Sequence, residues 1–225
     1  MVKGANVALT GPDGAIGPLI AEVSHGGTPE DLDVYLLLLA ADGRVRGDAD
    51  LVFHNNPASA DGSVRLAGKA GGAPAGVGCA ERVRLDPASV PAEVERIVLA
   101  AARYDGGRFG DLKDLTLTLC AADGGAPLRF AVTDAGPESA LILGELYRRG
   151  GVWKFRAVGQ GYDTGLVGLV TDFGITVEEE PAAPGTAPVP DPPVAGTVPA
   201  GGVPSGPVPA PPPAGSGTAD PVSYT

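Results

Sequence analysis

The sequence predicts an all-β fold: a β-sandwich of two mostly antiparallel sheets with one or two short helices, followed by a disordered Pro-rich C-terminal tail. Three observations carry this. Short apolar runs are separated by Asp-Gly and Gly-Gly punctuation along residues 1 to 177. Leu141 to Tyr162, LILGELYRRGGVWKFRAVGQGY, reads as a β-hairpin, with Gly150-Gly151 supplying the positive φ angles of a tight turn. Residues 181 to 225 hold 14 of the 23 prolines and none of the 16 Lys and Arg residues.

The strands expected in order are Asn6 to Leu9, Asp33 to Ala40, Leu51 to His54, Ser63 to Leu66, Arg82 to Asp86, Arg96 to Tyr104, Leu115 to Ala121, Leu128 to Val132 and the two arms of the hairpin. The run Val34 to Leu39 is apolar on both faces, which places it centrally with both faces covered, whereas Thr116-Leu117-Thr118-Leu119 alternates and predicts one wet face. In the hairpin, strict alternation puts Leu141, Leu143, Glu145 and Tyr147 on one face and Ile142, Gly144, Leu146 and Arg148 on the other. On the return arm Trp153, Phe155 and Ala157 share the core face, and Gly159 and Gly161 are expected to break the strand. Helix is confined to a turn or two within Pro87 to Val94 and to Asp163 to Phe173, where Leu166, Leu169, Val170 and Phe173 recur at spacings of three and four.

Composition sets the domain plan: a folded domain over residues 1–178 and a disordered Pro/Ala/Gly-rich acidic tail over 179–225. About 177 residues bury roughly 70% of their unfolded surface, so the core needs no crosslink. The tail lacks the large apolar side chains that offset chain entropy, and its PVPAPPPAG stretch favours polyproline II. Of the net charge of −11, the first 177 residues carry −6. That balance argues against nucleic acid as a partner. MVKGANVALT contains no signal-peptide core and no run of eighteen apolar residues occurs, so no membrane insertion and a cytoplasmic location are expected. Cys79 and Cys120 have neither metal nor disulfide-framework spacing and read as free thiols.

No catalytic motif is visible: a Gly-x-Ser-x-Gly elbow, a His-Glu-x-x-His helix and a Walker loop are all missing, which predicts a protein that is not an enzyme. His25 is expected in a glycine-rich loop and His54 at a strand end, neither as a general base. The chemistry-bearing stretch is acidic. Residues two apart on a strand share a face, so Asp31 with Asp33 and Asp48 with Asp50 each set two carboxylates side by side, and Asn55, Asn56 and Asp61 follow in loop positions. A hard cation such as Ca2+, which takes six to eight oxygens, would relieve that repulsion; solvated turn formers are the plainer alternative.

GELYRRGGVWKFRAVGQGY closely resembles the C-terminal signature of the TerD family of bacterial tellurium-resistance and general stress proteins. The resemblance extends to KGANVALT, to DLDVYLLLLAADGRVRGDADLVFHNN and to DFGITV, and so covers roughly residues 1 to 177. It implies a single non-catalytic β-sandwich, often calcium-binding, tied to tolerance of tellurite and other stress, with other tellurium-resistance proteins as partners. It also implies that Asp31 and Asp33 match the family's DLD motif, and Asp48, Asp50 and Asn55 its acidic strand and loop. The chain departs from the family where a loop resembling GDNxTGxGxGDDE is expected. Here it reads GKAGGAPAGVGCAE, with Lys69 in place of the first acid, Cys79 and Ala80 in place of two Asp residues, and Glu81 retained. The expected metal set is therefore Asp31, Asp33, Asp48, Asp50, Asn55, Asp61 and Glu81, forming a calcium site that is weak or lost. Two other functions stay open on the sequence: a small-molecule or metalloid-binding module using the glycine-rich loop and Cys79, and an interaction scaffold tethered by the proline-rich tail.

Overall fold

The structure, a computed structural model, describes residues 1–9, 15–26, 32–69, 77–78, 81–104 and 107–177. The chain runs β1 (Asn6–Ala8), β2 (Leu19–Gly26), β3 (Leu32–Leu39), β4 (Leu51–Val52), β5 (Val64–Lys69), β6 (Val77–Gly78), β7 (Glu81–Leu85), β8 (Arg96–Arg103), β9 (Lys113–Ala121), β10 (Leu128–Ala131), β11 (Ala140–Arg149), β12 (Val152–Tyr162) and one helix, α1 (Gly165–Asp172). Two antiparallel sheets result. The first has the order β1-β12-β11-β8-β3-β4, and the second β10-β9-β2-β7-β5 with β6 alongside β2. The predicted sandwich is the observed one, and the tail expected over 179–225 lies outside the described residues.

Between the sheets lies the main core, where Val34, Leu36 and Leu38 of β3, Ile97 and Leu99 of β8, and Trp153 and Phe155 of β12 meet Val23, Val83, Leu117 and Phe130 of the second sheet. A second apolar layer forms on the outer face of the first sheet. There Tyr35, Leu37, Leu39, Val98, Ala100 and Ile142 are covered by Leu169 and Val170 of α1. Two covered faces explain why β3 is apolar from Val34 to Leu39, although it lies next to the short edge strand β4 rather than at the centre of its sheet. On β9, Leu115, Leu117 and Leu119 are buried and the threonines between them are not, as alternation predicts. Helix α1 ends in a Schellman motif. The Ile175 amide donates to the Val170 carbonyl, the Gly174 amide donates to that of Thr171, and Gly174 itself takes φ +88°.

Several expectations are corrected. Leu19–Gly26, not anticipated as a strand, is the middle strand of the second sheet, and His25 lies within it, buried at 2% exposure, rather than in a loop. Its inward series Leu19, Ala21, Val23 and His25 contains one small and one polar residue, which blurs the alternation. Pro87 to Val94 forms turns, not helix. Pro91 denies that segment a helical N–H and biases Val90 out of the α region. Its carbonyls serve other partners: Pro87 accepts from Trp153 Nε1 at 3.0 Å, and Val90 accepts from Arg148 Nη2 at 2.7 Å.

Gly150 and Gly151 do make the hairpin turn, at φ +62° and +77°, and Trp153 is buried at 6% exposure. Gly159 and Gly161, however, do not end β12. Gly159 takes φ +66° and carries a β-bulge through which the strand continues to Tyr162. Ile142 pairs with Gln160 and Gly144 with Ala157, so Val158 and Gly159 together oppose Leu143. The same Leu143 is an extra residue against β8, where Ile142 faces Ala100 and Gly144 faces Leu99. Alternation on β11 therefore reverses at this point. Leu141, Leu143 and Leu146 all enter the main core, and Glu145 turns to the outer face instead of sharing a face with Leu141.

Trp153→Ala should destabilise the protein by about 3 to 5 kcal/mol, the range for deleting a buried aromatic, whereas Lys154→Ala, on a half-exposed position, should change little. Gly144→Ala tests the bulge directly, since its Cβ would stand 2.7 Å from the Phe155 ring and 3.0 Å from the Arg156 carbonyl oxygen. Denaturant unfolding should show a clear loss for Gly144→Ala, and unchanged stability would count against this packing.

Candidate functional site

The predicted acidic residues are distributed over both sheets. Asp33 sits on β3 with the outward residues Tyr35 and Leu37, and its Oδ2 lies 3.5 Å from Nδ1 of His54. His54 meets the Phe53 ring edge-on, and Phe53 stacks on Tyr35 at 6.0 Å. Tyr104 is close enough that burial first, and the Asp33 charge second, raise its pKa. Asp31, Cys79 and the rest of the glycine-rich loop other than Val77 and Gly78 lie outside the residues whose side chains or backbone are described.

Asp48 and Asp50 do not share a strand face. They occupy a 3-10 turn, Asp48–Asp50, where about three residues make a turn and positions two apart diverge. The buried Asp50 carboxylate accepts from Arg46 Nε and Nη2, each at 2.7 Å, and from the Arg46 backbone amide at 3.0 Å. Asn55 stands exposed at the tip of a tight turn closed by reciprocal Phe53 and Asn56 backbone bonds. Asp61 Oδ1 accepts from the Ser63 amide at 2.7 Å and the Ser59 hydroxyl at 3.0 Å. Glu81 begins β7 in register with Lys69 of β5. Among the described residues no group of three or more His, Cys, Asp and Glu side chains is placed to hold a metal ion. The described members of the set do not fit a calcium site as they stand.

A different cluster, not anticipated from the sequence, is assembled on the outer face of the first sheet. Glu145 of β11 is 5% exposed and pairs across the strands with Arg156 of β12. Its Oε1 lies 2.5 Å from Arg156 Nη2 and its Oε2 3.6 Å from Arg96 Nη1 of β8. These groups border a cleft of about 330 Å³ that extends to Gln160, Tyr162 and Asp172. Gln160 Nε2 donates to the Tyr162 hydroxyl at 3.4 Å. Burial first, then hydrogen bonding to and the charge of Asp172, push the Tyr162 pKa up to about 12, so the hydroxyl stays protonated at neutral pH. The signal for this cluster was the glycine at position 159: a bulge there reassigns Glu145 to a face where only a paired carboxylate is tolerated.

A second cleft, also about 330 Å³, opens between Leu9, Ile16, Leu119, Cys120 and Leu128 at one edge of the sandwich. It is apolar, and the half-buried Cys120 thiol lies 3.7 Å from the Ile20 carbonyl oxygen. No helix among the described residues is long and apolar enough to cross a membrane.

Comparison with known proteins bears on all of this. The family model described as the TerD domain matches residues 1–173. A tellurium resistance protein TerD from Serratia marcescens is 37% identical over 186 residues, covering 77% of this chain and 95% of that protein. General stress protein 16U from Bacillus subtilis (strain 168) is 31% identical over 189 residues, covering 79% and 97%. A solved structure of a homologue of the telluride resistance protein TerD from Streptomyces coelicolor A3(2) superposes with a TM-score of 0.57 at 19% identity, covering 72% of this chain and all of that one, which shows a shared fold.

The Asp61 turn generates a pH-dependent prediction. Burial alone would raise the Asp61 pKa, but the bonds from Ser63 and Ser59 outweigh it and hold the carboxyl below its usual range. A depressed folded-state pKa stabilises above the unfolded value of about 4 and is lost as pH falls through the folded value. Asp61→Ala should therefore cost about 1 to 3 kcal/mol at pH 7, since the Ser63 amide and Ser59 hydroxyl lose their acceptor. The gap from the unmodified protein should shrink below about pH 4. A gap independent of pH in thermal unfolding would assign the cost to something other than the carboxylate.

Proposed function

Since the chain belongs to the TerD family, we propose that it is a non-catalytic, cytoplasmic component of tellurium resistance or the general stress response, with a degenerate calcium site. The match of the TerD domain over residues 1–173 carries this reading, supported by relatives named for tellurium resistance and for general stress. Expression of the full chain in a tellurite-sensitive bacterial host should raise the tellurite concentration that stops growth. Unchanged tolerance in cells that accumulate the folded protein would overturn the resistance role.

The calcium part of the reading is supported by how the acids are already used. Asp50 is bound by Arg46 in both directions of its carboxylate, and a cation would have to displace that guanidinium from a buried site. Asp61 is committed to its own turn. Lys69 of β5 is in backbone register with Glu81, where the family resemblance implies an acid. Affinity should be no better than about 0.1 to 1 mM, the range of weak sites, and micromolar cytosolic calcium leaves such a site empty.

A ligand at 100 times its Kd stabilises by about 2.7 kcal/mol and one far below Kd by almost nothing. Thermal unfolding of the unmodified chain should thus barely respond to 50 μM calcium, a concentration of roughly half the tightest expected Kd or less. The triple substitution Lys69→Asp, Cys79→Asp and Ala80→Asp should add more than about 1 kcal/mol of calcium-dependent stability there. Submicromolar binding by the unmodified chain would show that its retained acids form a complete site.

A further inference from the structure

The cleft on the outer face of the first sheet has the composition of a ligand site. Its buried acid is paired: Glu145 Oε1 lies against Arg156, and Oε2 is in ionic contact with Arg96 at 3.6 Å, beyond hydrogen-bond distance. The two arginines are not saturated. Each guanidinium carries five N–H donors, yet the side chains remain 44% and 47% exposed, and no other acceptor among the described residues is bonded to them. Arg156 is further held by the Tyr147 ring, 5.9 Å from its guanidinium carbon. One carboxylate thus draws two guanidiniums to the same cleft and leaves the trio with a net positive charge.

The opposite wall is quiet by comparison. Asp172 lies near enough to the Tyr162 hydroxyl to raise its pKa, and that hydroxyl accepts from Gln160. An anion entering the cleft would meet the open N–H donors of Arg96 and Arg156, whereas a cation would meet their positive charge beside Glu145. Beneath the polar rim the lining is apolar, from Val98, Ile142, Val158 and Phe173. The volume of about 330 Å³ falls at the small end of ligand pockets.

We propose that this cleft binds a small organic anion, with Arg96 and Arg156 gripping its carboxylate or phosphate group and its apolar part resting on Val98, Ile142, Val158 and Phe173. Glu145 acts as the positioning residue that keeps the two forks in place. Planar guanidinium forks suit both oxyanion shapes. The inference stands on the geometry of the cleft and is independent of the resistance role.

The test uses the full chain and two probes, benzoate and inorganic phosphate, in calorimetric titrations at low ionic strength. One-site binding with a Kd below about 10 mM is expected for at least one probe; tighter benzoate identifies a carboxylate with an apolar body, and tighter phosphate a phosphate head. Arg96→Lys and Arg156→Lys keep the charge beside Glu145 but remove the fork, and each should weaken binding by about tenfold or more. Arg65→Lys, an exposed position on the second sheet, should leave it unchanged. Binding of neither probe, or equal losses at Arg65, would overturn the proposal. A readout on the unmodified protein guards against variants that fail to fold: the side-chain Nε–Hε resonances of Arg96 and Arg156 must move on titration while that of Arg65 stays. Immobile Arg96 and Arg156 signals would also overturn it.

Discussion

One irregularity in the hairpin sets the character of both faces of the first sheet. With a strictly alternating β11, Glu145 would share the inward face with Leu141 and Leu143, and a carboxylate would enter the apolar core at a cost of several kcal/mol. The bulge at Leu143, opposite Val158 and Gly159, removes that conflict by reversing the alternation. Leu146 then packs inside with Phe155, and Glu145 lies outside between Arg96 and Arg156. Two glycines make the irregularity tolerable. Gly159 adopts a left-handed conformation, and Gly144 leaves room where the Phe155 ring would otherwise meet a Cβ.

A second constraint is the handling of carboxylates in a chain of net charge −11. Among the described residues several acids are engaged locally: Asp50 by Arg46, Glu22 by Arg82 at 2.6 Å, Asp61 by hydroxyl and amide donors, and Glu145 by two arginines. Local satisfaction competes with metal ligation, because each bond to a guanidinium must be broken before the same oxygen can face a cation. Geometry adds to this. Calcium ligands lie 2.3 to 2.6 Å from the ion, within about 5 Å of one another. Asp33 points away from the second sheet while Glu81 belongs to it, so the backbone of the first sheet stands between them.

How far the sequence disclosed this structure depends on whether the signal was local. The hairpin, the buried face of Trp153, the two-sided strand Val34 to Leu39 and the single α-helix were all legible, because turn chemistry and periodicity sufficed. Leu19–Gly26 was not, since Ala21 and His25 on its inward face look polar or neutral and the strand is fixed by neighbours far along the chain, β7 and β9. The acidic candidates were named by proximity in sequence, and proximity in sequence does not gather residues on different sheets. The Glu145 cluster escaped notice for the opposite reason. Its members Arg96, Glu145 and Arg156 are remote in the chain, and the register that brings them together depends on a bulge whose only local mark is a glycine pair read as a strand break.

The two kinds of site differ in what they owe to the fold. The described members of the expected calcium set stand largely in turns and near strand ends, where side chains can be exchanged without disturbing a sheet. Glu145, Arg96 and Arg156 occupy positions on three adjacent strands, so their spacing is set by backbone pairing. Exchange of acids at such positions leaves the sandwich intact. Loss of Glu145 would leave the two guanidiniums without the buried carboxylate they share, and so would act on the binding geometry and on the stability of the first sheet together.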